Sequence, residues 1–386
     1  MKLIVFVIAM LSSVQLYAKT FYVCPDGNDL NSGLDPLTPF STVSKVYTVL
    51  GNLTGGDSIR FCQGGVFPNT KTALIDKLKC TALNPCVIED YPSNLGFSKP
   101  VISGNGFRFG NKDKHVEGLI VRNLELQGNG NSEGIFLYLD VSDFLIENVL
   151  ISGHRIGVQA SNKDGKLARI TLRNSVIRDC TTQGWLGGAS DSRIENNTFT
   201  NNGFSEKIYN HNIYWNSPTS NSVITGNTLS QSAVVGGLAW GTSLVIHGTQ
   251  KDLTVEKNTV YESPGGADPH GYGITYSGYN IYPGEYAEGL RIIGNTVINM
   301  GGVAIGCSSC RNGSIEGNTI IHNSPFAQTA ITTMMGGVSV DDLPTFNMIV
   351  KDNVIYFGEQ ADVKSKPVTA KPGDDLGNFV YFGNVK

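Results

Sequence analysis

Apolar residues along this chain alternate with polar ones in short runs, as in Leu253-Thr-Val255 and Thr296-Val-Ile298, and the runs stop at Gly or Asn. A period of two with turn residues at each end predicts short strands, and the same stretches lack the 3.6-residue period of helices. One pattern, apolar-x-x-Asn followed by a small or β-branched residue and another apolar one, recurs around Asn123, Asn148, Asn174, Asn197, Asn227, Asn258, Asn295, Asn318 and Asn353. Successive spacings are 25, 26, 23, 30, 31, 37, 23 and 35 residues, so a constant unit carries insertions of variable length. A unit of strands and turns this small cannot bury its own apolar face, but stacking on copies of itself creates a continuous core. The pattern therefore predicts an all-β solenoid of parallel strands. Its Asn residues are expected to form a structural column of nine steps at one corner, since Asn tolerates left-handed turns.

Composition agrees: among 386 residues there are 46 Gly and 34 Asn, a load suited to many tight turns. A length that would allow several ordinary domains becomes one elongated domain. The formal net charge of −4, without a basic run, excludes the electrostatic footprint of a nucleic-acid binder. Residues 1–18 read as a secretory signal peptide, with Lys2, an apolar stretch from Leu3 to Leu11, and cleavage near Ala18. No later stretch is apolar enough to span a bilayer. The mature protein is expected to be secreted or periplasmic, monomeric and free of the membrane. In an oxidising compartment Cys24–Cys62 and Cys80–Cys86 are the expected disulfides. Cys307 and Cys310 are expected as a surface disulfide or as structural thiols, and Cys180 as buried.

The repeat, with the start Phe21-Tyr-Val-Cys-Pro-Asp-Gly-Asn-Asp29, then Pro39-Phe-Ser-Thr42 and Gly56-Asp57, resembles the right-handed parallel β-helix superfamily of pectate lyases, alginate and chondroitin lyases and mannuronan epimerases. The resemblance implies an N-terminal cap and first coils over 19–110, with a capping helix from Phe40 to about Leu50. Coils then follow over 111–358, and a C-terminal tail or cap over 359–386. It also implies an exported enzyme acting on a polysaccharide, with an acidic glycan as the expected partner. No motif demands a cofactor. Calcium is admitted by the oxygen-rich run Asp26 to Asn31, although a plain turn is the simpler reading.

The three longest units in the middle of the chain run from Asn197 to Asn295, and long loops on a rigid scaffold usually carry function. Aligning the strands there places Val158, Leu186, Ile213, Ile246 and Ile274 inward, and Gln159, Tyr214, His247 and Thr275 outward in one line. Tyr214 and His247 would then be neighbours on adjacent coils, about 5 Å apart. His211 precedes one of these strands, and Asp268-Pro-His270-Gly-Tyr272 precedes another. Asp268-Pro-His270 is similar to the Asp-Pro-His element of the epimerases, but no acidic or amide residue follows the His, and it falls in the loop before the strand.

A uronate lyase must neutralise the carboxylate, take the C5 proton and protonate the leaving O4. The candidates are His211, Tyr214, His247, His270 and Tyr272 for catalysis, with Arg155, Lys207, Tyr209, Trp215, Trp240 and Asp268 for substrate binding. No metal ligand set is identified. The Asn-Thr-Asp, Asp-Asp and Gly-His-Gly elements of pectin hydrolases are missing from the equivalent places, and Asp341-Asp342 has no partner His. A lyase cleaving an acidic glycan by β-elimination is the leading expectation. The alternatives are a glycoside hydrolase or C5 epimerase on the same groove, or a glycan-binding β-helix without catalysis.

Overall fold

The computed structural model describes residues 18–216, 218–277, 284–334, 345–370 and 374–383. All but the last residue of the leader, and Asp341-Asp342, lie outside them. Three long parallel sheets, of 13, 12 and 10 strands, take their strands in turn along the chain, so each coil contributes one strand to each side of a three-sided solenoid. A 4-stranded sheet adds a short fourth side over coils in the second half of the chain.

The core is built in stacked columns. Ile194, Ile224, Val255, Ile292, Ile315 and Val350 pair coil to coil in one sheet and all are buried. In parallel in-register pairing, like residues stack and the alternation seen in sequence becomes an apolar interior and a polar exterior.

The Asn repeat resolves into two columns. Asn123, Asn148 and Asn174 occupy the left-handed turn position, with φ of 59°, 50° and 51°. In later coils that position passes to Asn196, Gly226, Lys257, Gly294, Gly317 and Asp352. From Asn197 onward the repeated Asn stands one residue further on, inside the core. There Asn197, Asn227, Asn258, Asn295 and Asn318 each donate Nδ2 to the Oδ1 of the Asn on the next coil, ending at Asn353, at 2.9–3.0 Å. The expected nine-step column is thus a six-residue buried ladder beside a turn position. A shift of one residue exchanges the two roles, because the turn residue needs positive φ and the ladder residue needs buried donors.

The N-terminal helix is Val43–Leu50, three residues shorter at its start than expected. Thr42 caps it, and Asp29 accepts from the N–H and hydroxyl of both Ser41 and Thr42 at 2.6–3.1 Å. The carboxylate of the candidate calcium run is thereby engaged in holding the cap. Among the described residues no cluster of three or more His, Cys, Asp or Glu is placed to hold a metal ion. Both expected disulfides, Cys24–Cys62 and Cys80–Cys86, are formed, while Cys180, Cys307 and Cys310 are free and buried. Strands Lys366–Thr369, Asp375–Leu376 and Phe379–Gly383 extend all three long sheets, so coil pairing continues into the segment expected as a tail. No helix among the described residues is long and apolar enough to cross a membrane.

Candidate active site

The 10-stranded sheet carries the candidate residues. Register places Val158, Trp185, Ile213, Leu244 and Ile274 in one inward column. Gln159, Leu186, Tyr214, Val245 and Thr275 follow in the next, outward column. Val158, Ile213, Ile246 and Ile274 are buried as expected, but Leu186 faces out and Trp185 takes its place in the core. The alignment slipped by one residue at that strand, which exchanges faces. For His247 it slipped by two, which keeps the face. His247 therefore lies on the Tyr214 side but one step beyond the strand Leu244–Ile246, with Val245 opposite Tyr214. Thr275 shares the outward column, yet its side chain is buried.

Two consecutive residues, Asn212 and Ile213, face the core at the start of the strand His211–Trp215. Asn212 is fixed there: its Oδ1 accepts from Asn202 Nδ2, and its Nδ2 donates to the Ser230 carbonyl and Ser243 Oγ. This break in alternation turns His211 to the same side as Tyr214, three residues later. Their rings lie 5.4 Å apart, and the Tyr214 ring stands 5.3 Å from His247 at 87°. His211, Tyr214 and His247 form one cluster.

His211 is buried, and its Nδ1 lies 2.9 Å from the Thr242 carbonyl. With Nδ1–H donating to that carbonyl, Nε2 carries the lone pair. Burial pushes His211 down to about 3, the Thr242 carbonyl opposes this, and His247 adds to the lowering. Burial lowers His247 too, against the Ser277 backbone. Both imidazoles are neutral at pH 7.

A second group stands at the strand-entry edge of the same sheet. The Lys207 ammonium lies 3.8 Å from the Trp240 ring centroid, and His270 stacks on Trp240 at 6.0 Å and 10°. Asp268 orients His270, with Oδ1 2.8 Å from Nδ1 and 3.0 Å from the backbone N. The hairpin Val234–Val235 with Leu238–Ala239 leads into Trp240, and Ala239 is tied to Gly266 and Asp268. Lys207 has no carboxylate partner among the described residues.

The remaining candidates part company. Trp215 is in the core, stacked 6.1 Å from Trp185, with Nε1 donating to Gln250 and Thr219, so it cannot form a substrate wall. Arg155 is ion-paired with Glu133, which removes it as an unengaged carboxylate binder. Tyr209 is exposed, and its carbonyl accepts from Gln183. Tyr272 is half-buried two coils beyond His211, about 10 Å by strand spacing.

Sequence reasoning missed Gln183 and Glu133. Gln183 Oε1 accepts the His211 N–H at 2.7 Å while its Nε2 holds the 203–210 loop at Tyr209. Both stand in the His211 column. That column follows from strand pairing alone.

Beyond the cluster, towards the strand ends, a cavity of about 530 Å³ opens over Gln159 and Leu186, with Asn216, Pro218 and Gly248 beside it and Glu285 in its wall.

A family model described as "Right handed beta helix region" matches residues 105–283, which include seven of the ten strands of this sheet. The chain is a right-handed parallel β-helix. A PL6 family polysaccharide lyase from Pseudopedobacter saltans superposes with a TM-score of 0.54 at 13% identity, over 89% of this chain and 92% of that one. XylC in complex with xylose gives a TM-score of 0.57 at 11% identity, over 91% and 86%. The Dettilon tailspike protein gives 0.55 at 14%, over 91% and 68%. Likeness at these identities is one of fold. No curated protein matches the sequence.

Proposed function

We propose that this β-helix is a polysaccharide-active enzyme whose reaction is β-elimination on a uronate-containing glycan. The observation that carries the reading is the His211–Tyr214–His247 cluster on the outward face of the 10-stranded sheet. Solved β-helices of similar fold include a polysaccharide lyase and a protein holding xylose, which supports a saccharide as the ligand.

In this reading His211 Nε2 takes the proton from C5 of the uronate. The C5–H electron pair becomes the C4–C5 double bond, the C4–O4 bond breaks, and the Tyr214 hydroxyl returns a proton to O4. His247 packs edge-on to Tyr214 and holds its ring. An imidazole pushed to about 3 carries no proton at neutral pH, so it is always in the basic form. A bound uronate adds negative charge beside it and raises its proton affinity when substrate is present. Lys207, rather than Arg155, supplies positive charge towards the carboxylate, because Arg155 is held by Glu133.

Hydrolysis is the weaker reading, since it needs two carboxylates opposed across the groove. Asp268 is bound to His270, Glu285 is buried in the cavity wall where its Oε2 accepts the Gly248 N–H, and Glu288 lies on the 4-stranded sheet bonded to Asn312. Incubation with a panel of acidic and neutral polysaccharides, with and without chelator, tests the proposal. Unsaturated, ultraviolet-absorbing ends are expected from a uronate polymer, and they should vanish in His211→Ala and His247→Ala with the fold intact. Reducing ends without unsaturation would establish a hydrolase, altered uronate composition at constant length an epimerase, and binding without product a lectin-like role.

A further inference from the structure

The outward column that holds Tyr214 runs on towards the N-terminal cap. Tyr214, Leu186, Gln159, Phe136 and Arg108 follow one another in it, one per coil, so Arg108 stands four coils, about 20 Å, from Tyr214. Phe136 and Tyr138 pair with Gln159 and Ser161, which line the 530 Å³ cavity, and the two rings lie 5.5 Å apart. The face that carries the catalytic cluster and the cavity therefore continues over an aromatic platform to Arg108. The next position of the column, Leu74, is 39% exposed and lines a second cavity of about 440 Å³ against the capping helix.

Arg108 is half-buried, and its guanidinium lies 4.8 Å from the Phe136 ring centroid. Stacking on the ring holds the planar fork in place. Yet among the described residues no hydrogen bond or ion pair engages this guanidinium, and its Nε is buried without a partner. Seven other arginines, Arg155 and Arg173 among them, each meet a carboxylate. The acidic residues outside the described ones, Asp341 and Asp342, are joined to the strand Thr329–Thr332, eight strands further along the sheet. A desolvated donor without an acceptor is costly, and a fixed guanidinium of this kind is satisfied by an anion that binds there. A planar carboxylate matches the fork.

Spacing sets the length of the ligand. An extended pyranose chain lying along the solenoid axis advances by about one coil spacing, about 5 Å, per residue. A uronate reacting at Tyr214 is then the first residue of a run whose fifth reaches Arg108.

We propose that Arg108, stacked on Phe136, binds the carboxylate of a uronate four residues away from the reacting one, so that the enzyme grips a run of at least five sugars along its axis. This rests on the reading of the groove as a glycan site.

The experiment compares an oligouronate of three residues with one of seven, of which only the longer spans from Tyr214 to Arg108. Wild-type protein should turn over the longer probe with at least tenfold higher kcat/KM. Arg108→Gln should remove most of that advantage, mainly through KM, and leave turnover of the shorter probe unchanged. Arg193→Gln, on the 13-stranded sheet, should keep the advantage. Equal kcat/KM for the two lengths in the wild type, or an advantage that survives Arg108→Gln, overturns the proposal. Binding of the longer probe to His211→Ala, read by calorimetry, separates the subsite from the chemistry. A fivefold or greater loss of affinity on adding Arg108→Gln supports the subsite even if no unsaturated product forms. Unchanged affinity rejects it even if the lyase reading holds. Should Arg108→Gln fail to fold, Arg108→Met carries both measurements.

Discussion

The Tyr214 ring stands edge-on to the His247 imidazole across adjacent coils, with centroids 5.3 Å apart. That contact depends on a parallel register holding two coils in step, and it places a phenol and two imidazoles on one face of a rigid sheet. A phenol that returns the proton to the leaving oxygen cannot be replaced by a benzene ring of the same shape. Tyr214→Phe is therefore expected to lower kcat at least a hundredfold with little change in KM. Steady-state rates of ultraviolet-absorbing product formation check this, and a change confined to KM would assign Tyr214 to binding alone.

Acid should destabilise the protein early. Burial pushes His154 down to about 4 and His211 to about 3, and lowers His322 and His247 as well. Each depressed His binds its proton less well folded than unfolded. Its contribution is thus fully present above the unfolded value near 6.5 and is lost as pH falls towards the folded value. For His154 alone the loss on full protonation is about 3 kcal/mol. Tm should fall steadily between pH 6.5 and 4, and His154→Gln should flatten that slope while lowering Tm at pH 7. His322 is buried against Phe326 and Phe357 and joins this set.

The two Asn columns should respond differently to alanine. Asn227→Ala leaves the Asn197 N–H and Nδ2 without their acceptor in the core and opens a small cavity. It should cost about 3 kcal/mol or more in denaturant unfolding. Asn174→Ala meets only the left-handed turn penalty at φ 51°, about 1 kcal/mol. Equal costs would reject the distinction between ladder and turn.

Of the seven cysteines, four are bonded. Guanidinium unfolding without reductant should release three titratable thiols per chain, and native protein should release none promptly, since all three are buried. A count of one would mean that Cys307 and Cys310 are bonded to each other. Reduction should destabilise mainly through Cys24–Cys62, whose 38-residue separation corresponds to about 4 kcal/mol, against about 2 kcal/mol for the 6-residue Cys80–Cys86.

Much of this was legible in the chain itself. Alternating apolar runs with Asn and Gly stops determined the solenoid, because period-two strands too short to bury themselves must stack. The local closeness of Cys24 to Cys62 and of Cys80 to Cys86 anticipated both disulfides. The choice of His211, Tyr214 and His247 also came from the sequence, by way of the long coils that carry them. Tertiary structure decided what depends on register. A one-residue slip sent Trp185 inward and Leu186 outward, and the core claimed Trp215 as its stacking partner. The same kind of slip split the Asn repeat into turn and ladder. Neither is visible along the chain, because side chains on a strand change face at every residue and only pairing with the next coil fixes the phase. The Asn212–Ile213 break that turns His211 towards Tyr214, and the Glu133 that engages Arg155, follow from those cross-coil neighbours and from nothing local.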